Sequence, residues 1–361
     1  MRPAAVEAML PFLTERFANP SGSHRFARDA RRAIDVARDS VAAHLGVGPG
    51  EVGFTGCGTE SDNTVVAGVP GVAVCPAAEH HAVLHPVADR DGRVVGVDAT
   101  RHVDLDRLAA ALDDDVTLVS VMAVNNEVGT ITDLVAVAAL VRDRAPRALL
   151  HTDAVQAVCW LDVRTIAQLD DLMSFSSHKF GGPKGVGVLT IRDGVNVAPL
   201  IAGGGQERER RSGTHNVAGI VAFEAALRET DARRAEENVR LAALRDRLVD
   251  GQQGRVDGVH ETGPRDRKVA GSAHICIDGI ESESLLFLLD EADVCASAAS
   301  ACASGAMEPS LVLAAMGVPR ERSGGALQMS LGATTTADDV DRAVEVVATA
   351  VTRLRSSGRS T

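Results

Sequence analysis

The sequence predicts a doubly wound α/β domain followed by a smaller α+β domain, and three observations carry the prediction. Short apolar runs alternate with helical patterns from Val52 to Ile191. Several of these runs are apolar at every position, as strands covered on both faces are. The alternation then gives way to a charged, Ala- and Leu-rich helical stretch over residues 231–250 with no strand beside it. At 361 residues the chain can fill two cores. In order, Ser23 is expected to cap a helix over 24–45, with Phe26, Ala30, Ile34, Ala37, Val41 and Leu45 on one face and Gly46 at its stop. Strands are expected at 52–54, 72–75, 94–97, 116–121, 149–152, 172–175 and 187–191, with helices over 105–112 and 134–144 between them. A strand at 272–277, a helix at 282–291 and a final helix at 338–354 make up the second domain. The boundary is expected near residue 240, giving domains 1–240 and 241–361.

Composition excludes several functions. With 45% hydrophobic and 24% charged residues the chain is an ordinary globular protein, not a disordered one. Its net charge of −12 sets the surface against phosphate backbones, and the lack of any Tyr removes a base-stacking platform. No nucleic-acid partner is expected. The N-terminus lacks the basic and apolar regions of a signal peptide, and no stretch approaches the roughly 20 apolar residues of a membrane span. Six cysteines without a C-x-x-C pair read as reduced thiols in a cytoplasm, with no structural metal.

The informative number is lysine. Of 37 basic residues only Lys179, Lys184 and Lys268 are lysines. Two of them share the Ser- and Gly-rich stretch 174–185, directly after an expected strand. A lysine there with a lowered pKa forms a Schiff base with an aldehyde, and Ser176 and His178 beside it can donate to a phosphate. Alone, the same stretch also reads as a solvated surface loop. Asp153 ends the apolar run 149–152, on the edge where open α/β sheets bind ligands. It suits a protonated pyridine nitrogen, with Gln156 placed to reach a ring oxygen, and it equally suits a helix cap. The turn FTGCGTESDN (54–63) carries Gly56, Gly58 and Thr59 into a helical pattern and can hold a phosphate on backbone N–H groups. It is neither a P-loop nor a complete G-x-G-x-x-G. The histidine of AEHHAVL (78–84) stands at another strand end, where it is either a ring-stacking group or a structural one.

Together these segments resemble a family. NPSGSH (19–24), TESDN (59–63), EHHAVL (79–84), VNNEVGT (124–130), HTDAVQ (151–156), SFSSHKFGGPKG (174–185), GGGQERERRSGT (203–214) and SACASGAMEPS (300–310) occur in the order found in class V pyridoxal phosphate enzymes. The resemblance is to the cysteine desulfurases of nitrogen fixation and iron–sulfur-cluster assembly, and it runs nearly end to end. It implies the aspartate-aminotransferase-like (fold type I) architecture, with a large cofactor-binding domain and a small C-terminal one. It also implies conversion of L-cysteine to L-alanine. The sulfur passes as a persulfide to an acceptor protein, either a cluster scaffold or a thiolation carrier. In that resemblance Lys179 matches the Schiff-base lysine and His80 the histidine that stacks on the ring and handles protons. Asp153 and Gln156 match the groups on the pyridine nitrogen and phenolic oxygen, and Asn126 the asparagine beside the cofactor. Gly58, Thr59, Ser176 and His178 match the phosphate cradle. Thr214 matches a threonine that reaches the phosphate of the neighbouring subunit, which implies a homodimer. Cys302 matches the nucleophile, within a stretch of small residues suited to a loop that swings between cofactor and acceptor. Cys295 reads as a core residue.

Two departures stand out. The family holds the substrate carboxylate with an Arg in an R-x-S-L-G segment, and here that segment begins with Gln328. Losing a charge-assisted fork costs on the order of 2–3 kcal/mol. Arg320 or Arg322 is placed to substitute, and the change also fits a selenocysteine lyase, another β-eliminating lyase, or a weakly active or non-catalytic homologue. The family also opens with a short strand and an Ala-Thr-Thr-Pro motif, and this sequence starts at Met1-Arg2-Pro3, just past it. Cys57, His215 and Lys268 have no assignment from sequence.

Overall fold

A computed structural model describes the chain except for residues 99–102, 299–301, 304–305, 308–309 and 358–361. Of Cys302, Ala303, Ala306, Met307 and Ser357 it describes the backbone alone. The chain divides into two compact units. The first comprises residues 1–95, 105–123 and 133–234, and the second comprises 96–104, 124–132 and 235–361.

In the first unit, helices α1 (Pro3–Leu13) and α2 (Arg25–Leu45) precede the alternating region. The N-cap of α2 is His24, not Ser23: its Nδ1 accepts the Ala27 N–H at 3.2 Å, and the helix starts at Arg25. Ala27, Ala30, Ile34, Ala37, Val41 and Leu45 form the buried stripe, which leaves Phe26 one position off it and 54% exposed. Gly46 stops the helix in the left-handed conformation at φ 76°, where a side chain would be strained.

The alternation then runs β1 (Val52–Thr55), α3 (Gly58–Gly68), β2 (Val72–Pro76), α4 (His81–Asp89), β3 (Arg93–Val95), α5 (Leu105–Ala111) and β4 (Val116–Ser120). It continues with α6 (Leu134–Arg144), β5 (Leu149–Asp153), α7 (Val163–Ala167), β6 (Leu172–Ser176) and β7 (Gly187–Ile191). These strands form one seven-stranded sheet in the order β1-β7-β6-β5-β4-β2-β3, parallel except for β7, which is antiparallel to both neighbours. Its central strands are buried on both faces, as their uninterrupted apolar character requires. Val65, Val66, Val83 and Val87 of α3 and α4 pack on Ala73, Cys75, Leu118, Leu172 and Leu189 of the sheet. Because β7 turns back beside β6, the connection 177–186 is short and lies at the edge where β5 and β6 end. That edge is the ligand side of an open α/β sheet.

Helix α8 (Val217–Arg255) is one 39-residue helix, starting well before the expected stretch, and its residues from Ala235 on group with the second unit. That unit holds the antiparallel sheet β12 (Ala326–Ser330), β9 (Ser272–Ile277) and β8 (Val259–Glu261). It also holds helices α9 (Ser282–Glu291), α10 (Leu311–Ala315), α11 (Arg320–Ser323) and α12 (Ala337–Ser357). The remaining strands are the two-residue pair β10 (Cys302–Ala303) and β11 (Ala306–Met307). Segment 124–132 attaches to this unit through Ile131 N–H to the Arg267 carbonyl and Val269 N–H to the Gly129 carbonyl. Lys268 is buried, its ammonium donating to the Thr262 carbonyl with the Glu261 carboxylate 3.4 Å away. Burial lowers its pKa to about 8, with Glu261 opposing. Cys295, expected in the core, is exposed. It follows the turn after α9, at the end of a segment that packs little of itself. Among the described residues no helix is long and apolar enough to cross a membrane, and no group of side chains could hold a metal ion.

Asp170, in the loop before β6, is 3% exposed, and neither carboxylate oxygen has a hydrogen-bond partner. Burial raises its pKa to about 7; the nearby Thr152 hydroxyl and the Arg192 and Arg142 charges lower it and Asp171 raises it. A folded pKa above the unfolded one means that stability is greatest at low pH and falls as pH rises from about 4 to about 7. Asp170→Asn removes that loss. Denaturant midpoints of the two proteins are expected to converge near pH 4. They separate in favour of the Asn variant as pH rises, levelling above pH 7 at a difference of up to about 4 kcal/mol.

Candidate active site

The first turn of α3 lies just past the end of β1 and carries Gly58 and Thr59. Cys57 is its N-cap, with Sγ accepting the Glu60 N–H at 3.4 Å, which gives this cysteine a structural role. The N–H groups of Gly58 and Thr59 head the helix, where an anion is favoured by orphan donors and by the helix dipole. A Cβ on Gly58 would stand 2.6 Å from Val155 Cγ2 and 3.4 Å from Ser176 Cβ. Only glycine lets the turn come this close to the ends of β5 and β6. Ser176 is buried, and its hydroxyl is 2.9 Å from His178 Nδ1. Gly58, Thr59, Ser176 and His178 are thus drawn to one corner from two separate loops.

Asp153 is the last residue of β5 and is 5% exposed. Its Oδ1 accepts the Val155 N–H at 2.9 Å. No helix follows: 155–161 is a series of turns, so Asp153 caps a turn rather than a helix, and Gln156 lies half-buried within those turns. Lys179 lies in the connection 177–186 and is exposed as a residue. The walls around its amine still lower the pKa through desolvation, while the Asp153 carboxylate pulls it back up. His80 caps α4 with its Nδ1 accepting the Ala82 N–H at 3.1 Å. Burial, Lys179 and His85 all lower its pKa, so it is a neutral ring with the proton on Nε2. Burial and the Lys179 and Lys184 charges lower His178 in the same way.

Segment 203–216 contains three successive residues in the left-handed region, Glu207, Arg208 and Glu209, with φ of 49°, 58° and 67°. A buried carboxylate holds it there. Glu207 accepts both ends of the Arg38 guanidinium at 2.7 and 2.8 Å, His215 Nε2 is 2.7 Å from it, and the Phe54 N–H donates to it at 2.8 Å. Burial alone would raise its pKa, but the His215 and Arg38 bonds hold it at about 2. Arg211 pairs with Glu60 at 2.9 Å, and Glu60 in turn accepts the Gly56 N–H at 2.8 Å, tying this segment to the turn before α3. Thr214 is exposed three residues further on. Sequence reading missed Arg38, Glu60, Glu207 and Arg211. The available signal was that Glu60, Glu207 and Arg211 sit inside quoted motifs.

Asn126, Gln328 and Cys302 belong to the second unit. The Gln328 amide donates to the Asn126 carbonyl at 2.7 Å, and its backbone exchanges two hydrogen bonds with Ser297. Position 328 therefore links three segments of that unit. Arg322 is engaged by Asp278, with Nε 3.4 Å from Oδ1. The backbone of Cys302 lies opposite Met307, and its side chain is outside the described residues.

The first unit thus offers a corner of donors, an amine, a carboxylate and a neutral imidazole. This donor set fits pyridoxal phosphate: Gly58, Thr59, Ser176 and His178 suit the phosphate, and Asp153 a protonated ring nitrogen. Comparison with known proteins agrees. Residues 1–343 match the family described as Aminotransferase class-V. The chain is 40% identical to the cysteine desulfurase IscS of Methanosarcina thermophila, over 99% of this chain and 90% of that protein. It is 41% identical to an IscS-like cysteine desulfurase of Mycobacterium tuberculosis, over 98% of this chain and 94% of the other. A solved NifS-like protein superposes with a TM-score of 0.90 at 34% identity, covering 98% of this chain and 97% of that one.

Arg38→Ala strands a buried carboxylate and releases the strained turn. The variant is expected to lose about 3–5 kcal/mol of stability by denaturant titration. Limited proteolysis is expected to cut first within 203–214.

Proposed function

The chain belongs to the class-V aminotransferase family and is a pyridoxal phosphate-dependent cysteine desulfurase, and on that premise we propose which residues carry the reaction. The observation behind the assignment is the Lys179 amine held near the Asp153 carboxylate at the ends of adjacent strands, beside an anion corner. Bound pyridoxal phosphate supplies an aldehyde for amines and a ring that withdraws electrons from the substrate Cα.

Gly58, Thr59, Ser176 and His178 would hold the phosphate, Gln156 the phenolic oxygen and Asn126 the ring. Asp153 holds a proton at the ring nitrogen. Lys179 Nζ, its pKa lowered by desolvation, takes the Cα proton of cysteine and returns it. His80 covers the ring face and carries its mobile proton on Nε2. The Cys302 thiolate attacks the substrate sulfur, so that an S–S bond forms as the C–S bond breaks. Cys302 is left as a persulfide, the substrate Cβ takes up a proton, and the carbon skeleton departs as L-alanine. The outer sulfur then passes to a thiol of an acceptor protein, a cluster scaffold or a thiolation carrier.

The working form we propose is a homodimer in which the exposed Thr214 serves the phosphate of the partner subunit. The two-domain reading, 1–240 and 241–361, assigns the cofactor to the larger part and Cys302 to the smaller. A cytoplasmic setting accords with the free thiols at positions 57, 75, 159, 276 and 295.

Cys302→Ala is expected to keep the absorption of the bound cofactor while releasing neither alanine nor sulfide from cysteine; continued turnover would remove Cys302 from its role. Gln328→Arg is expected to raise kcat/KM for cysteine by up to about 30- to 150-fold, the reach of one charge-assisted fork. No gain would mean that another group holds the carboxylate.

A further inference from the structure

Beneath the cofactor end of β5 lies a polar layer that the reaction as described does not use. His151 and Asp153 are two residues apart on β5 and face the same side. Ser120 is the register partner of His151, and Ser174 that of Asp153. Helix α3 sets Asp62 against this patch. All four of Ser120, His151, Ser174 and Asp62 are at most 1% exposed. His151 Nδ1 is 2.8 Å from the Ser120 hydroxyl and Nε2 is 2.9 Å from the Ser174 hydroxyl. Ser174 stands between the two acid–base groups: its hydroxyl bonds His151, and its interaction with the Asp62 carboxyl lowers a pKa that burial raises more strongly. Asp62 Oδ1 has no hydrogen-bond partner and is 3.7 Å from His151 Nε2.

A buried carboxylate with an unmet oxygen would need a cation, and among the described residues none acts on it. The titratable groups around Asp62 are Asp153, Glu79 and Cys57, all of which oppose a negative charge, and His151, which burial holds neutral with a pKa of about 3. Lys179 acts on Asp153.

We propose that Asp62 is a positioning residue for Asp153: an uncharged carboxyl that fixes Ser174 and His151 in one hydrogen-bonded layer under it and keeps a second negative charge away from it. The inference rests on Asp153 meeting the ring nitrogen, as proposed above. Because Ser174 is the direct neighbour of Asp153, the layer sets where that carboxylate points. Because the layer is neutral, Asp153 alone governs how firmly the ring nitrogen keeps its proton.

The test uses full-length apoprotein titrated with pyridoxal 5′-phosphate labelled with ¹⁵N in the ring, reading affinity and the pH dependence of the nitrogen shift. Asp62→Asn, a neutral isostere, is expected to bind within about threefold of the parent with the same pH dependence. Asp62→Leu, which leaves Ser174 unsupported, is expected to bind about tenfold more weakly and to displace the nitrogen titration. A shift of the titration in the Asn variant by about one pH unit or more would show that the parent carries a charge there and overturn the proposal. So would a Leu variant unchanged in both readings. Should the Leu variant not fold, infrared difference spectra of parent against Asp62→Asn apoprotein at pH 8 decide the matter. A protonated-carboxyl stretch lost in the variant supports the proposal, and its absence from the parent overturns it. Parent apoprotein that takes up no cofactor refutes the assigned function instead, and the infrared measurement still judges the charge on Asp62.

Discussion

Asp153 and Lys179 stand at the ends of neighbouring strands with opposite charges, in surroundings that desolvate the amine, and each limits what can be placed near the other. A partly dry amine loses its proton too readily unless an anion is close. A buried anion needs a counter-charge or donors. The remaining titratable groups at this edge respect that balance. His80, His178 and His151 are all held below the ordinary imidazole range, each mainly by burial. At this edge Lys179 and Asp153 act on each other, Lys184 acts on His178, and Glu79 acts on Asp62. A charged histidine in the set would lower the pKa of Lys179 further. A second ionised carboxylate would raise the basicity of any ring nitrogen held by Asp153.

The sheet accounts for how these groups are brought to one edge. Parallel strands direct the ends of β1, β5 and β6 the same way, so residues far apart in sequence finish side by side. The antiparallel β7 keeps the Lys179 connection short, which holds it over that edge instead of sending it around a helix. Gly58 permits the α3 turn to approach Val155 and Ser176, and Cys57 closes the helix start with its sulfur. The strained Glu207–Glu209 turn is a comparable device. Three non-glycine residues keep left-handed backbones because a buried carboxylate with guanidinium, imidazole and backbone donors leaves the turn no better arrangement.

Much of this was legible in the sequence, for definite reasons. The sheet strands were visible because both-face burial writes them as apolar runs, and Gly46 because a helix stop needs a left-handed residue. Lysine scarcity singled out 179. The failures also have causes. The start of α8, VAGIVAFEAALRET, is apolar nearly all round, so it shows no helical stripe, and the helix was expected only where charges begin. His24 took the cap expected of Ser23 because an imidazole nitrogen can accept the same N–H. Cys57 had no assignment from sequence because sulfur is a weak acceptor seldom found at an N-cap. Arg38 and Glu207 are 169 residues apart, and nothing local marks either as buried. Asp62 and His151 lay inside quoted motifs but carry no pattern of their own; the register of β4, β5 and β6 joins them.

Position 328 shows how a single substitution redistributes work. An arginine there presents a planar fork of donors and a fixed charge. Gln328 presents one amide, and that amide is given to the Asn126 carbonyl while its backbone holds Ser297. Its side chain thus orders the loop of its own unit in place of offering a charge to solvent. The neighbouring guanidinium of Arg322 is drawn to Asp278, and the buried Lys268 is spent on Thr262 and Glu261. Each of these cations already has a partner within the unit, so recruiting one for a substrate carboxylate requires breaking an existing bond.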